Sequence, residues 1–176
     1  MKKREKSRGQ VRRFVVAVSV AVLAVLIDQG SKAIALAELS ETNRIPLLSD
    51  LFGLQLAFNP GAILSFGSEA TWVITVLAVV ASVFLVMVAA RARTTSWAVG
   101  IGLILGGAVG NLLDRLFAPP AFGRGHVTDF LAYGDWFIGN LADVFLGAGV
   151  ILLLLILLFR RSAHRHPEPD DTPQPE

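Results

Sequence analysis

The chain has 176 residues, of which 53% are hydrophobic and only 17% are charged, and its mean hydropathy is +0.60. Polar residues are too few to cover a water-soluble globule of this size, so the composition indicates a membrane protein. Because there is no cysteine and the three histidines are scattered, the inventory excludes thiolate and iron–sulfur chemistry and predicts no metal or other cofactor.

Four apolar segments are long enough to cross the roughly 30 Å core of a bilayer as helices. They cover residues 14 to about 36, 71–90, 97–117 and 137–159. A basic stretch, residues 1–13, precedes the first segment as it would precede a signal peptide, but "LIDQGSK" offers no small-x-small cleavage site. The predicted fold is therefore an all-α membrane protein with four transmembrane helices in one domain, residues 14–162.

Basic residues indicate the orientation of these helices. Twelve of the 16 Lys and Arg residues precede the first span, join the second to the third, or follow the fourth. The positive-inside rule then predicts a multi-pass protein with both termini in the cytoplasm, and it explains the pI of about 9.4 without a nucleic-acid partner.

The segments outside the spans differ in character. The outer loop, residues 37–70, contains "FGLQLAFN" and "AILSF" on either side of the turn-forming "NPGA", which predicts a small extracytoplasmic β-rich region. Residues 163–176 are acidic and Pro-rich and are predicted to form a disordered cytoplasmic tail. In the third span Gly102, Gly106 and Gly110 recur every four residues, which predicts close helix packing within the bundle.

A polar motif occurs twice within the apolar spans, as "GNLLD" at 110–114 and "GNLAD" at 139–143. At i,i+3 spacing each Asn shares a helix face with its Asp. The third helix runs outward and the fourth inward, so Asn111 and Asp114 should lie at the same outer-leaflet depth as Asn140 and Asp143. The two motifs are therefore expected to face one cavity.

Other polar residues reach the same level: Asp28 and Lys32 on the first helix, Arg115 on the third, and Asp129 in "GHVTDF". Ionisable groups at this depth are costly, by about 2.5–3.5 kcal/mol each on insertion scales, and usually serve a function. The alternative is that Asp28 with Lys32, and Asp114 with Arg115, are neutralised pairs that hold helices together.

Asp143 has no basic neighbour in sequence, so it depends on hydrogen-bond donors or on a second carboxyl. Two carboxyls that are forced together cannot both ionise cheaply, and the pair can act as acid and base toward water. Spacing alone leaves both Asp114 and Asp129 as partners for Asp143.

The polar segments, taken in order, resemble the lipoprotein signal peptidase (signal peptidase II) family. The resemblance rests on five motifs: "DQGSK" at 28–32, "FNPGA" at 58–62, "GGAVGNLLDR" at 106–115, "VTDF" at 127–130 and "NLAD" at 140–143. Together they cover nearly the whole membrane portion.

This resemblance implies an aspartic endopeptidase of the bacterial cytoplasmic (inner) membrane, with its active site toward the outer face. It would remove signal peptides from prolipoproteins by cutting before a diacylglyceryl-modified cysteine, as a monomer in contact with membrane lipid. Asp129 and Asp143 would be the catalytic pair. The supporting residues would be Asp28, Lys32, Asn59, Asn111, Asp114, Arg115 and Asn140.

Three other classes fit less well. A proton-coupled transporter usually has repeated helix sets broken at the middle of the bilayer. A presenilin-type protease needs Gly-x-Gly-Asp on a helix, whereas "YGDW" at 133–136 matches only in part and leaves Asp135 as a solvated loop residue. A purely structural scaffold would not require the two matched Asn-x-x-Asp motifs.

Overall fold

The computed structural model describes residues 2–61 and 71–163, which form four long helices and one small sheet. The helices are α1 (Lys2–Glu38), α2 (Thr71–Ala89), α3 (Thr95–Phe117) and α4 (Leu141–Ala163). Each is long and apolar enough to cross a membrane, so the four predicted spans are confirmed at that level. Residues 164–176 of the predicted tail lie outside the described residues.

The sheet is antiparallel, with strand order β1-β2-β3-β4. β1 (Ile45–Leu48) and β2 (Phe52–Asn59) come from the loop in which a sheet was predicted, and β2 coincides with "FGLQLAFN". The predicted run "AILSF", at 62–66, lies outside the described residues. β3 (Val127–Tyr133) and β4 (Phe137–Gly139) follow α3 and were not predicted.

One helix boundary was predicted wrongly. Residues 137–139 form β4, and α4 begins only at Leu141. The apolar letters "FIG" extend the hydropathy of the helix, but their backbone pairs with β3, with Ala132 opposite Ile138. The helix start is fixed by a cap at Asn140, described below.

Small residues let α3 pack closely against α1. A Cβ atom added at Gly106 would lie 2.6 Å from the Cβ of Ala24 and 2.8 Å from the carbonyl oxygen of Ala21. Gly102 and Gly110 face Ala17 and Asp28 of α1 in the same way. The glycine seam therefore packs within the chain, as predicted.

The α2–α3 connection lies at the same end of the bundle as the start of α1. Gln10 Nε2 and Arg13 Nε each donate to a backbone oxygen, of Ala90 and Ala92 respectively, at 2.8 Å. Thr94 caps α3, because its Oγ1 accepts a hydrogen bond from Trp97 N at 3.2 Å. The polar residues of the two Asn-x-x-Asp motifs lie toward the opposite end, where α3 finishes and α4 begins.

Candidate active site

Asp129 is placed by the sheet. It stands on β3 opposite Ala57 of β2, and its side chain is 3% exposed. Its Oδ1 accepts a hydrogen bond from Asn140 Nδ2 at 2.5 Å, and its Oδ2 accepts one from Asn59 Nδ2 at 3.2 Å. Two neutral amides therefore hold the carboxyl in one orientation.

Asp143 is placed by the cap of α4. Asn140 Oδ1 accepts a hydrogen bond from Asp143 N at 3.1 Å, and Asp143 Oδ2 accepts one from Asn140 N at 3.2 Å. This reciprocal pair is the geometry of a capping box, with Asn and Asp in place of the usual Ser or Thr and Glu. Asp143 Oδ1 also accepts from Asn111 Nδ2 at 3.0 Å, and the Asp143 side chain is exposed.

Asn140 connects the two carboxyls. Its Nδ2 donates to Asp129 while its Oδ1 accepts from the backbone of Asp143, and its side chain is 1% exposed. The hydrogen bond between Asn111 and Asp143 confirms that the two Asn-x-x-Asp motifs meet at one level. The Asn-x-x-Asp segment at this helix start thus both caps α4 and presents an exposed carboxylate beside Asn111.

A buried ion cluster lies beside these carboxyls. Lys32 Nζ lies 2.8 Å from Asp28 Oδ2 and 2.9 Å from Asp114 Oδ2. All three side chains are nearly inaccessible, with exposures of 3%, 0% and 8% respectively. A charge buried at this level requires such partners, because an unpaired one would be strongly destabilising.

The ion cluster supports the segments that carry Asp129 and Asp143. Asp28 Oδ1 accepts a hydrogen bond from Ala142 N at 2.9 Å, which satisfies a free N–H in the first turn of α4. Asp114 Oδ2 accepts one from Thr128 N at 3.0 Å, next to Asp129 on β3. Lys32 Nζ also donates to Asn111 Oδ1 at 3.0 Å, and Asn111 in turn donates to Asp143.

Arg115 does not form the ion pair with Asp114 that the sequence offered as an alternative. Within the described residues the cation that pairs with Asp114 is Lys32, and Arg115 Nη1 instead approaches Pro60 O at 3.5 Å. The Pro60–Gly61 turn is held by Asn59, whose Oδ1 accepts from Gly61 N at 2.8 Å, with Gly61 at a φ of 98°. Sequence adjacency misled here, because consecutive residues of a helix point in different directions.

Asp129 differs from an ordinary surface carboxyl in its affinity for a proton. Burial raises the pKa of Asp129 from 3.8 to about 6, and the negative charge of Asp143 acts in the same direction. The hydrogen bonds from Asn140 and Asn59 lower this pKa, because they stabilise the ionised form, but they do not outweigh the burial.

The family model described as signal peptidase (SPase) II matches residues 20–159, which include every residue of the site described above. The chain belongs to the signal peptidase II family. It is 44% identical over 160 residues to a lipoprotein signal peptidase of Bifidobacterium longum (strain DJO10A), an alignment that covers 90% of this chain and 87% of that one. A lipoprotein signal peptidase of Mycobacterium avium (strain 104) is 38% identical over 148 residues, with 84% and 81% covered.

The fold is also similar to solved structures. One, described as a bacterial membrane enzyme, superposes with a TM-score of 0.67 at 27% identity and covers 86% of this chain and 93% of its own. Family membership supports a multi-pass bacterial membrane protease that removes signal peptides from lipoproteins. The resemblance stated from the five motifs is thereby confirmed.

The structure brings the nine predicted site residues close together and adds one residue that sequence reasoning overlooked. All nine predicted site residues belong to the connected set of contacts described above. Gln29, within the signal peptidase II motif "DQGSK", was not singled out, yet its Nε2 lies 3.2 Å from Asp28 Oδ2 and 3.1 Å from Asp114 Oδ1. The available signal was a polar amide inside a membrane span beside an ionisable residue.

Proposed function

We propose that this signal peptidase II is an aspartic endopeptidase whose catalytic pair is Asp129 and Asp143. The observation that carries the proposal is the difference between two kinds of carboxyl at the site. Asp28 and Asp114 are bound to a buried cation, whereas within the described residues Asp129 and Asp143 accept hydrogen bonds only from neutral amide groups.

Carboxyls without a bound cation can change protonation state during a reaction, and this is the requirement for acid–base catalysis. Lys32 forms buried ion pairs with Asp28 and Asp114, so these two serve the structure. The same contrast favours Asp129 over Asp114 as the partner of Asp143, a choice that spacing in the sequence left open.

The proposed mechanism uses one proton shared by the pair. The buried Asp129 holds the proton, because burial raises its pKa to about 6. The exposed Asp143 carboxylate removes a proton from a water molecule, which attacks the scissile carbonyl carbon. Asp129 donates a hydrogen bond to the developing oxyanion, and the proton on Asp143 passes to the amine leaving group. No covalent intermediate forms.

The proposed orientation follows from the two ends of the bundle. The basic residues near Gln10, Arg13 and the α2–α3 connection mark one end, and the carboxyls lie toward the other. The positive-inside rule places the basic end and both termini in the cytoplasm of a bacterial cell, and the active site and the sheet toward the outer face of the membrane. A substrate anchored in the outer leaflet by its lipid could enter sideways, and we propose cleavage before the lipid-modified cysteine.

The deciding experiment is incubation of the purified protein in detergent with a diacylglyceryl-modified prolipoprotein, followed by mass measurement of the products. Asp129→Asn and Asp143→Asn should each abolish cleavage, and the double variant should be little worse than either single one. Asp135→Asn is the matched control, because Asp135 is a fully exposed loop residue that only approaches Arg44, at 3.3 Å. Substantial cleavage by a well-folded Asp143→Asn protein would rule out the pair.

A further inference from the structure

A cavity of about 260 Å³ lies at the end of the bundle opposite the carboxyls. Its apolar lining includes Val88, Trp97 and Ile101, and its charged lining consists of three arginines, Arg91, Arg93 and Arg160. Fourteen residues of α3 separate Trp97 from Asn111, which corresponds to about 21 Å along the helix. The cavity is therefore distinct from the proposed active site.

The three arginines are not neutralised locally. Within the described part of the chain, none of them forms an ion pair, and no carboxylate lines the cavity. Arg13 lies close by, but its guanidinium is engaged, since Nε donates to Ala92 O at 2.8 Å. The cavity thus combines an apolar wall with an excess of positive charge.

A buried donor supplies independent evidence of a ligand. Trp97 Nε1 is buried and is the only buried side-chain nitrogen or oxygen without a hydrogen-bond partner among the described residues. Such a group is unfavourable unless an acceptor reaches it, and buried polar groups in folded proteins nearly always have one. Because Trp97 also lines the cavity, a ligand bound there is placed to supply the acceptor.

We propose that this cavity binds the phosphate group of an anionic phospholipid. Arginine guanidinium groups bind phosphate oxygens through paired hydrogen bonds, and the Trp97 N–H would donate to a phosphate or ester oxygen. Acyl chains would continue along exposed apolar side chains of α2 and α4, such as Phe84, Met87 and Leu157. Exposed apolar side chains on these two helices favour a lipid over a free anion, because a free anion would gain nothing from them.

The test measures the affinity of short-chain phosphatidylglycerol for the detergent-solubilised protein. Trp72→Phe and Trp136→Phe leave Trp97 as the only indole, so its fluorescence reports on the cavity. Binding should change this fluorescence, and phosphatidylcholine of the same chain length should bind much more weakly. Arg91→Gln/Arg160→Gln should weaken phosphatidylglycerol binding by at least about tenfold, because it removes two guanidinium groups that donate charge-assisted hydrogen bonds to the phosphate.

The matched control is Arg8→Gln/Arg12→Gln, which removes the same charge from exposed positions on α1 that do not line the cavity. The affinity of this control variant for phosphatidylglycerol should stay within about twofold of that of the parent protein. If both double variants lose affinity equally, the lipid is attracted by the positive charge of the whole surface and not by a specific site. Trp97→Phe in the otherwise natural chain, followed by native mass spectrometry, should show weaker lipid retention. Unchanged retention would overturn the site.

Two other occupants give distinguishable results. Inorganic phosphate that displaces the lipid at an equal concentration would show a free-anion site and overturn the lipid assignment. Residues 164–176 carry carboxylates at Glu168, Asp170 and Asp171, and a protein lacking them provides the second comparison. If this deletion changes Trp97 fluorescence before any lipid is added, the acidic segment is the occupant and the proposal fails.

Discussion

Replacing Asp129 with asparagine should change how the stability of the protein depends on pH. Burial raises the pKa of Asp129 to about 6 in the folded protein, against 3.8 for a solvated carboxyl. The folded state therefore binds this proton more tightly than the unfolded state does. As the pH rises from about 4 to about 6, the unfolded carboxyl ionises first, so the free energy of unfolding falls and then levels off.

The size of this effect follows from the two pKa values. One pKa unit corresponds to about 1.36 kcal/mol, so ionised Asp129 should destabilise the folded state by at most about 3 kcal/mol. The amide that replaces the carboxyl in Asp129→Asn cannot titrate. Its contacts with the amides of Asn59 and Asn140 do not depend on pH in this range, so they add only a constant offset to the stability of the variant.

The assay is thermal unfolding in detergent at pH 4.5 and pH 8, monitored by tryptophan fluorescence. For a chain of this size 1 kcal/mol shifts Tm by about 2–4 °C. At pH 4.5 the unfolded carboxyl is already largely ionised, so only about 2 kcal/mol of this effect falls between the two pH values. The Tm of Asp129→Asn relative to wild type should therefore rise by about 4–8 °C from pH 4.5 to pH 8. Asp135→Asn, at a fully exposed position, should show no comparable change. A Tm difference for Asp129→Asn that stays constant across this range would refute the assigned burial of the carboxyl.

Three further predictions test other parts of the structure. A topology reporter after Phe159 or at Thr94 should read cytoplasmic and one near Glu69 exterior, and an exterior reading after Phe159 would reverse the proposed orientation. Arg115→Lys keeps the positive charge but loses the planar guanidinium group that reaches toward Pro60 O, so cleavage should fall while the protein still inserts into the membrane. Unchanged turnover would show that only the charge of Arg115 is required. Gly106→Ala should destabilise the protein by about 1–3 kcal/mol in denaturant unfolding, because its Cβ would meet Ala21 and Ala24. Gly30→Ala is the control, because an added Cβ there meets nothing within 4 Å, and similar losses in both variants would contradict the packing argument.

The sequence was sufficient to predict four helices long enough to span a membrane, and to single out polar residues that the structure places close together, because both depend on local patterns. Long apolar runs predict spans, and Asn-x-x-Asp within such runs is improbable without a polar cavity. β2 was also predictable, since its residues, Phe52–Asn59, lie between recognisable turns.

The parts that could not be predicted depend on contacts between distant segments. β3 is buried at six of its seven positions and so lacks the polar–apolar alternation of a half-exposed strand. β4 continues the hydropathy of α4, and only its pairing with β3 separates the two. The pairing of Lys32 with both Asp28 and Asp114 joins residues 82 positions apart. The i,i+4 spacing within α1 identified the Lys32–Asp28 pair. It could not identify the Lys32–Asp114 pair, whose members lie on different helices.

Lys32 accounts for the two carboxyls of the site that lie outside the proposed catalytic pair, because it forms ion pairs with both of them. The backbone N–H groups of Ala142 and Thr128 bind Asp28 and Asp114 respectively, and each lies beside one member of the proposed catalytic pair. Because Lys32 binds both supporting carboxylates, the start of α4 and the middle of the sheet are fixed relative to one cation. These ion pairs hold the backbone next to Asp129 and Asp143, whereas the two carboxyls themselves are bound by neutral amides and, in the proposed mechanism, exchange a proton.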